Sequence, residues 1–268
     1  MRKLPAVLVI LAVATTIVVW APWASSAGPG SAPPYEPVLD PADFTTTIDN
    51  PYFPLPVGRT LVYRGVKDGQ TQEDRVTVTD QTKTVAEGIV ARVVTDVATH
   101  DGALLEKTSD WYAQDDHGNV WYLGEDTAAY LPNGKVDTSG SWEAGVHDAE
   151  PGIVMEANPQ IPDAYRQEFL TGQAEDTAWI VDRGGSVSVP YGTLKNALTT
   201  LEATRLEPGA YDQKVYAPGM ALHASKLSPA HRSSPSSSAS PGRPRANPRR
   251  EIGPSRPGGS LGPTGRSV

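Results

Sequence analysis

The fold is indicated most clearly by residues 110–125, which read DWYAQDDHGNVWYLGE. Two aromatic pairs, at residues 111–112 and 121–122, flank a polar segment that contains Gly118 and Asn119. Aromatic runs separated by an Asp/Gly/Asn cluster are typical of two antiparallel strands joined by a tight turn. Because side chains alternate across a strand, the two rings of each pair must point to opposite faces. One ring of each pair is therefore expected in a core, and the other on an outer or concave surface.

On both sides of this hairpin, short strands recur at the spacing of an antiparallel meander. They are predicted at residues 61–66, 73–79, 89–98, 104–114, 119–125, 165–170, 178–182, 186–191, 197–206 and 211–216. Residues 138–163 are rich in Gly and Pro and are predicted to be loop. No window has a long apolar pattern at helical spacing. Because large sheets rarely stay flat, we expect an all-β fold, an antiparallel meander forming a curled sheet or partly closed barrel, with disordered ends.

The N-terminal region predicts export. Residues 1–27 combine a basic start, a long uncharged apolar run and a Ser-Ser-Ala ending, which is the pattern of a signal peptide cleaved after Ala27. The apolar run is also close to the length that spans a bilayer, so an uncleaved anchor is the alternative, and the only one that implies membrane contact. Residues 28–43 are a Pro-rich linker. The prolines of residues 50–58 enforce an extended segment, expected to lie against the sheet.

The C-terminal region differs in composition from the β-rich domain that we predict over residues 44–223. Residues 224–268 are dominated by Ser, Pro, Gly and Arg and contain no aromatic residue, so we expect a disordered basic tail. One hypothesis is a shifted reading frame, since GC-rich codons for an acidic strand read as Arg-Ser-Ser-Ser after a one-base shift, as at residues 232–238. An intact frame on resequencing, with tail peptides in mass spectra, would exclude it. The alternative is a genuine cationic tail that contacts anionic cell-wall polymer.

Charge and composition exclude several classes of function. The chain has a net charge of -8, yet residues 224–268 hold eight Lys/Arg and one Glu, so residues 4–223 carry a net charge of -17. A surface this acidic disfavours nucleic acid and anionic membranes. The absence of cysteine excludes disulfides, thiol catalysis and lipoprotein anchoring.

No sequence pattern identifies a catalytic or metal-binding residue, and no cofactor is predicted. The Asp115–Asn119 segment lacks the alternating oxygen ligands and the distal Glu of a calcium loop, so it is interpreted as a turn. The five histidines show no metal-ligand spacing, and no serine lies in a nucleophile elbow. Carboxylate pairs for glycoside hydrolysis depend on three-dimensional separation, and with 30 acidic residues in the body the sequence singles out no pair.

Aromatic residues are the remaining candidates for ligand binding. Core packing explains most of them, but rings on one face of a curled sheet can also hold a lipid or another apolar molecule. The candidate ligand-binding residues are Trp111, Tyr112, Trp121 and Tyr122.

Several stretches resemble a family of uncharacterised exported bacterial proteins that is common in actinobacteria. The resemblance covers about residues 44–222, and its most specific part is Trp-Tyr-Ala-Gln-Asp at 111–115 with Trp-Tyr-Leu-Gly-Glu at 121–125. Members usually continue after an Ala-Pro-Gly like that at 217–219 with an acidic, aliphatic strand, and this chain departs there. The resemblance implies an exported, β-rich protein and assigns no site residues.

These observations lead to one expected function and two alternatives. We expect a non-catalytic binding protein of the cell envelope or medium that holds a lipid or other apolar ligand. The first alternative is a secreted hydrolase that uses unidentified carboxylates, which a pocket with raised carboxyl pKa values would favour. The second is a structural or protein-contact module, which the absence of a cavity would favour. The oligomeric state is left open.

Overall fold

The computed structural model describes residues 35–67, 70–85 and 88–220, and the backbone of residues 222–228. The predicted signal peptide, residues 28–34 of the linker and the tail beyond residue 228 lie outside the described residues. A short 3-10 helix, Pro41–Asp43, precedes the strands. The strands are β1 (Phe44–Thr45), β2 (Thr60–Lys67), β3 (Gln70–Thr84), β4 (Val90–His100), β5 (Ala103–Asp115), β6 (Val120–Tyr130), β7 (Val136–Asp137), β8 (Trp142–Glu143), β9 (Glu150–Met155), β10 (Ala164–Arg166), β11 (Glu168–Phe169), β12 (Asp176–Val189), β13 (Gly192–Thr204), β14 (Tyr211–Tyr216) and β15 (Leu222–Ser228).

The described strands form two antiparallel sheets. The first has the order β11-β9-β6-β5-β4-β3-β2, with β1 paired to β5 and with β7 and β8 paired to β6. It curls strongly into a half-barrel. The second has the order β10-β12-β13-β14-β15. The prediction of an all-β, antiparallel fold with a curled sheet is confirmed.

The hairpin of β5 and β6 forms as its sequence predicts. Gln114 pairs with Val120 at the turn end of the ladder. Asp115 closes the turn, because its backbone N–H donates to Asn119 O and its Oδ1 accepts the backbone N–H of Asn119 at 2.8 Å. Gly118 has a φ of 92°, which a side chain would disfavour. The Asp, Gly and Asn of this segment therefore serve the geometry of a turn, as interpreted.

The two faces of the first sheet bury different clusters. Trp111, Trp121 and Leu123 pack on the convex face, where Phe44 and Leu39 cover them. Tyr112 and Tyr122 lie on the concave face, against a core that both sheets share. The expected separation of the two rings in each pair is confirmed. Residues of the shared core include Val78, Val94, Val120, Ala178, Ile180, Leu198 and Tyr216.

Residues 50–58 lie against the sheets, as predicted. Asn50 is 2% exposed, and its side-chain amide donates to the backbone carbonyls of Gly118 and Glu156. Leu55 is buried in the shared core, and Phe53 packs against it. This segment therefore covers the turn end of the β5–β6 hairpin.

The structure corrects the prediction that residues 138–163 are loop. They contain β8 and the six-residue strand β9, which pairs with β6 on one side and β11 on the other. Pro151 and Gly152 obscured this strand because both residues are depleted in strands. Gly152 is required here, since a Cβ would overlap the backbone of Gln167 and lie 2.6 Å from Arg166 O. Close approach of two backbones is one reason for a glycine within a strand.

Two further strand boundaries differ from the prediction. Residues 178–182 and 186–191, predicted as separate strands, belong to the single strand β12 up to Val189, which carries register shifts around Gly185. Strand β15 pairs with β14 and crosses the predicted boundary between domain and tail at residue 223.

Candidate functional site

A cavity of about 240 Å³ lies between the concave face of the first sheet and the second sheet. We call it the central cavity. One part of its lining is apolar and aromatic, and includes Phe53, Leu55, Leu61, Tyr63, Val76, Val94, Tyr112, Tyr122, Val154, Leu206 and Tyr216. The other part is polar, and includes Asp96, Glu106, Thr108, Asp110, Glu125, Thr127, Gln167, Glu168, Gln173, Asp176, Thr204 and Lys214.

Stacked tyrosine rings form the aromatic wall. Tyr112 and Tyr122 occupy paired positions on β5 and β6, so their side chains lie side by side on one face. Their ring centroids are 4.9 Å apart with an interplanar angle of 20°. Phe53 packs at a tilt against Tyr112, with centroids 5.5 Å apart. Offset and tilted ring pairs of this kind are favourable beyond the area that they bury.

Only two of the four predicted ligand-binding residues line the central cavity. Tyr112 and Tyr122 do so, whereas Trp111 and Trp121 lie on the convex face. The Trp111 ring lies under Lys83 Nζ at 4.4 Å, and the Trp121 indole N–H donates to Asp115 Oδ2 at 2.8 Å. Both tryptophans therefore contribute to packing and to the turn rather than to the cavity.

The acidic wall was missed by the sequence reasoning. In β5, Glu106, Thr108 and Asp110 alternate on the same face as Tyr112, and all four line the cavity. The sequence did contain a signal for this face. Polar residues occupy every second position of β5 before Tyr112, so strand alternation places them on the same face as that ring. The other acidic residues of the lining come from β4 and β6, which adjoin β5 in sequence, and from the later strands β11 and β12. They are Asp96, Glu125, Glu168 and Asp176.

A bulge decides which acidic residue of β6 enters the cavity. The register between β5 and β6 shifts between Asp110/Glu125 and Tyr112/Tyr122. Gly124, with a φ of 132°, lies at this shift. Strict alternation from Tyr122 would bring Asp126 to the concave face, but the extra residue reverses the alternation. Glu125 and Thr127 therefore line the cavity, and Asp126 is exposed.

Burial changes the acidity of these carboxyl groups. Burial, with the charge of Asp96 second, raises the pKa of Asp110 to about 8, although the Tyr122 hydroxyl donates to Asp110 Oδ1 at 2.7 Å and opposes the rise. Burial and then the charge of Asp110 raise the pKa of Glu125 well above its usual range. Burial also raises the pKa of Glu168. Burial therefore favours the protonated form of these carboxyl groups.

Lys214 is the only basic side chain in the described lining of the cavity. Its Nζ lies 2.6 Å from Glu202 Oε2, and both side chains are largely buried. Glu202 Oε1 also accepts hydrogen bonds from the hydroxyls of Thr200 and Tyr216. The nearby Glu202 and Asp212 carboxylates raise the pKa of Lys214, against the effect of burial. The charge of Lys214 also acts to lower the pKa values of Glu168 and Asp176, so it compensates only that part of the acidic wall.

One polar atom of the lining has no protein partner. Gln167 is 7% exposed, and its Oε1 is buried without a hydrogen bond. A buried acceptor without a donor is costly, so a hydrogen bond to this atom would be stabilising.

The described residues contain no group of three or more His, Cys, Asp or Glu side chains arranged to hold a metal ion. Of the histidines, His117 is exposed in the hairpin turn, with Nδ1 3.4 Å from Asp116 Oδ1. His100 lies at the end of β4, and His147 lies in the loop after β8 with a φ of 54°.

Comparisons with protein-family models, curated proteins and solved structures gave no match. Within the described part of the chain, no helix has the length and apolar character needed to cross a membrane.

Proposed function

We propose that this protein is a non-catalytic binding protein, exported to the cell envelope or medium, that holds a small molecule in the central cavity. The observation that carries the proposal is the cavity itself, with the stacked rings of Tyr112 and Tyr122 exposed along one side. Ligand sites are typically concave and mostly apolar, with a few convergent polar groups. Export rests on the signal sequence at residues 1–27.

The ligand is small, with an apolar part and a polar part. The apolar lining supports the expectation of an apolar ligand, and a volume of about 240 Å³ suits a compact molecule better than a long acyl chain. The carboxyl groups beside the aromatic rings require a polar portion, because an apolar molecule would leave them desolvated and unpaired. A cavity with this lining also argues against a purely structural module.

Native mass spectrometry tests this proposal on full-length protein recovered from its own host. We expect a discrete, extractable adduct that disappears from the denatured mass. Val76→Phe, which places a ring in the cavity lining, should abolish the adduct. Val181→Phe makes the same change on β12 at a side chain that is 43% exposed, and should keep the adduct. A bare native mass, or an adduct retained by Val76→Phe, would contradict the proposal.

A second candidate function is a hydrolase that uses two carboxyl groups. Asp110 and Glu125 are paired across β5 and β6, and the raised pKa of Asp110, about 8, suits a general acid. Glycoside hydrolases use two carboxyl groups flanking the bond that breaks. Under this candidate, Asp110→Asn abolishes turnover of a hydrolysable ligand and retains its binding, whereas a non-catalytic protein shows no turnover in either form.

A further inference from the structure

We propose that the ligand of the central cavity is an amphipathic amine, with its apolar body against Phe53, Tyr112 and Tyr122 and its ammonium group among Asp110, Glu125 and Gln167. This inference rests on the proposed function and deepens it by naming the class of ligand. Three observations support it: the geometry of the cavity lining, the acidic residues of that lining and the unpaired acceptor of Gln167.

The charge of the lining favours a cation. Six carboxyl groups line the cavity, and Lys214, the one basic side chain of the described lining, is already paired with Glu202. A cationic ligand would stabilise the ionised form of these groups, and in a desolvated site this attraction is stronger than in water. An anionic ligand would gain no such attraction and would require the groups to stay protonated.

The unpaired Gln167 oxygen favours a hydrogen-bond donor. Gln167 is a residue of the cavity lining, and its Oε1 is buried and accepts no hydrogen bond from the described residues. Glu168, the next residue, also lines the cavity and interacts electrostatically with Asp110 and Glu125 of the same sheet. An ammonium group has three N–H donors and no acceptor, so it can satisfy the amide oxygen and two carboxylates together.

The aromatic wall favours an organic ligand. Aromatic side chains offer a large apolar area for contact with the apolar body of such a ligand. Tyr112 and Tyr122 stack on each other within the lining, and Tyr122 also donates a hydrogen bond to Asp110. This contact joins the aromatic wall to the acidic wall at one place. An apolar group and an ammonium group separated by a short chain would contact both.

Binding of an amine must release protons. A carboxyl group that is protonated in the empty cavity has to ionise to pair with an ammonium group, so amine binding is linked to proton loss and strengthens as pH rises. An alkyl ammonium group like that of lysine stays charged at neutral pH. The titratable and charged groups that face the site are Tyr63, Asp96, Glu106, Asp110, Tyr112, Tyr122, Glu125, Glu168, Asp176, Glu202, Lys214 and Tyr216.

This inference is tested by isothermal titration calorimetry of the full-length protein. Three probes share the same carbon skeleton and differ in charge. The probes are 2-phenylethylamine, the neutral 2-phenylethanol and the anionic phenylacetate. We expect the amine to bind at least tenfold more tightly than the alcohol, and phenylacetate to give no measurable binding. Repeating the amine titration at pH 7 in phosphate and in HEPES should show a difference in heat that reports released protons.

Charge-removing variants locate the site. Asp110→Asn and Glu125→Gln should each weaken amine binding about tenfold and leave binding of the alcohol unchanged. Each substitution replaces a buried carboxyl group by a neutral amide of similar size, so we expect both variants to keep the fold. Circular dichroism checks this expectation. Gln167→Leu should also weaken the amine selectively. Asp116→Asn, in the exposed hairpin turn, is the matched control and should change neither affinity.

The outcomes separate the two proposals. Equal binding of amine and alcohol, or amine binding that survives the Asp110→Asn, Glu125→Gln double substitution, overturns the amine assignment and leaves the binding function standing. Binding of none of the three probes, together with a bare native mass of the host protein, overturns both. Tight amine binding without proton release overturns the linkage to the buried carboxyl groups.

Discussion

The Tyr122 hydroxyl donates a hydrogen bond of 2.7 Å to Asp110 Oδ1. Tyr122 also stacks on Tyr112, so one side chain belongs to both walls of the central cavity. A hydrogen bond to the ionised form of a carboxyl group lowers its pKa, and here it partly offsets the effect of burial.

Removing this hydrogen bond should make Asp110 a weaker acid. In Tyr122→Phe we expect the pKa of Asp110 to rise above its value of about 8, because burial then acts without the donor. The loss of one buried hydrogen bond should also cost about 1 kcal/mol of unfolding free energy. Carbon-detected NMR titration of the carboxyl groups measures the pKa. Tyr130→Phe, at an exposed ring on β6, is the control, and an unchanged Asp110 pKa in Tyr122→Phe would contradict the assignment.

Stability should fall as pH rises from 5 to 8. The pKa values of Asp96, Asp110 and Glu125 are raised in the folded chain, which therefore binds more protons than the unfolded chain over this range. Each such group lowers the unfolding free energy by about 1.4 kcal/mol for every pH unit between its unfolded and folded pKa values. Carboxylates with lowered pKa values, Glu73 and Asp137, act in the opposite direction only near and below their usual pKa, outside this range.

Urea denaturation at several pH values measures this dependence. The Asp110→Asn, Glu125→Gln double variant should show a flatter profile than the parent protein and greater stability at pH 8. A stability that rises from pH 5 to pH 8 in the parent protein would show that these carboxyl groups are ionised in the folded chain.

Removing one partner of the buried Lys214–Glu202 ion pair should lower the unfolding free energy more than removing both partners. Lys214→Met leaves Glu202 buried without its cation, and we expect a loss of about 3–5 kcal/mol in unfolding free energy at pH 7. Adding Glu202→Leu should recover much of this loss, because both charges are then gone. Chemical denaturation measures each variant, with Lys135→Met at an exposed turn as the control. A loss below 1 kcal/mol for Lys214→Met would show that the pair is solvated.

Prediction from the sequence succeeded where the structure is local. The β5–β6 hairpin, its turn at Asp115–Asn119 and the opposite faces of the two rings in each aromatic pair all depend on neighbouring residues. Strand alternation and turn geometry act over a few residues, and they are visible in the chain itself. The same rules gave the all-β class. They failed for β9, because Pro151 and Gly152 are residue types that are typical of loops. The need for a glycine at position 152 comes from the close backbone of Gln167, which is a tertiary contact.

The amino-acid sequence by itself determined the strands, the hairpin and the alternation that directs Tyr112 and Tyr122 to one face. Only the tertiary structure decided that this face is concave and that carboxyl groups line the same cavity as these rings. The carboxyl groups come from five strands of both sheets, and the bulge at Gly124 brings Glu125 rather than Asp126 inward. The physical reason is that burial and mutual charge, which raise the pKa of Asp110, arise only when residues distant in sequence exclude water together.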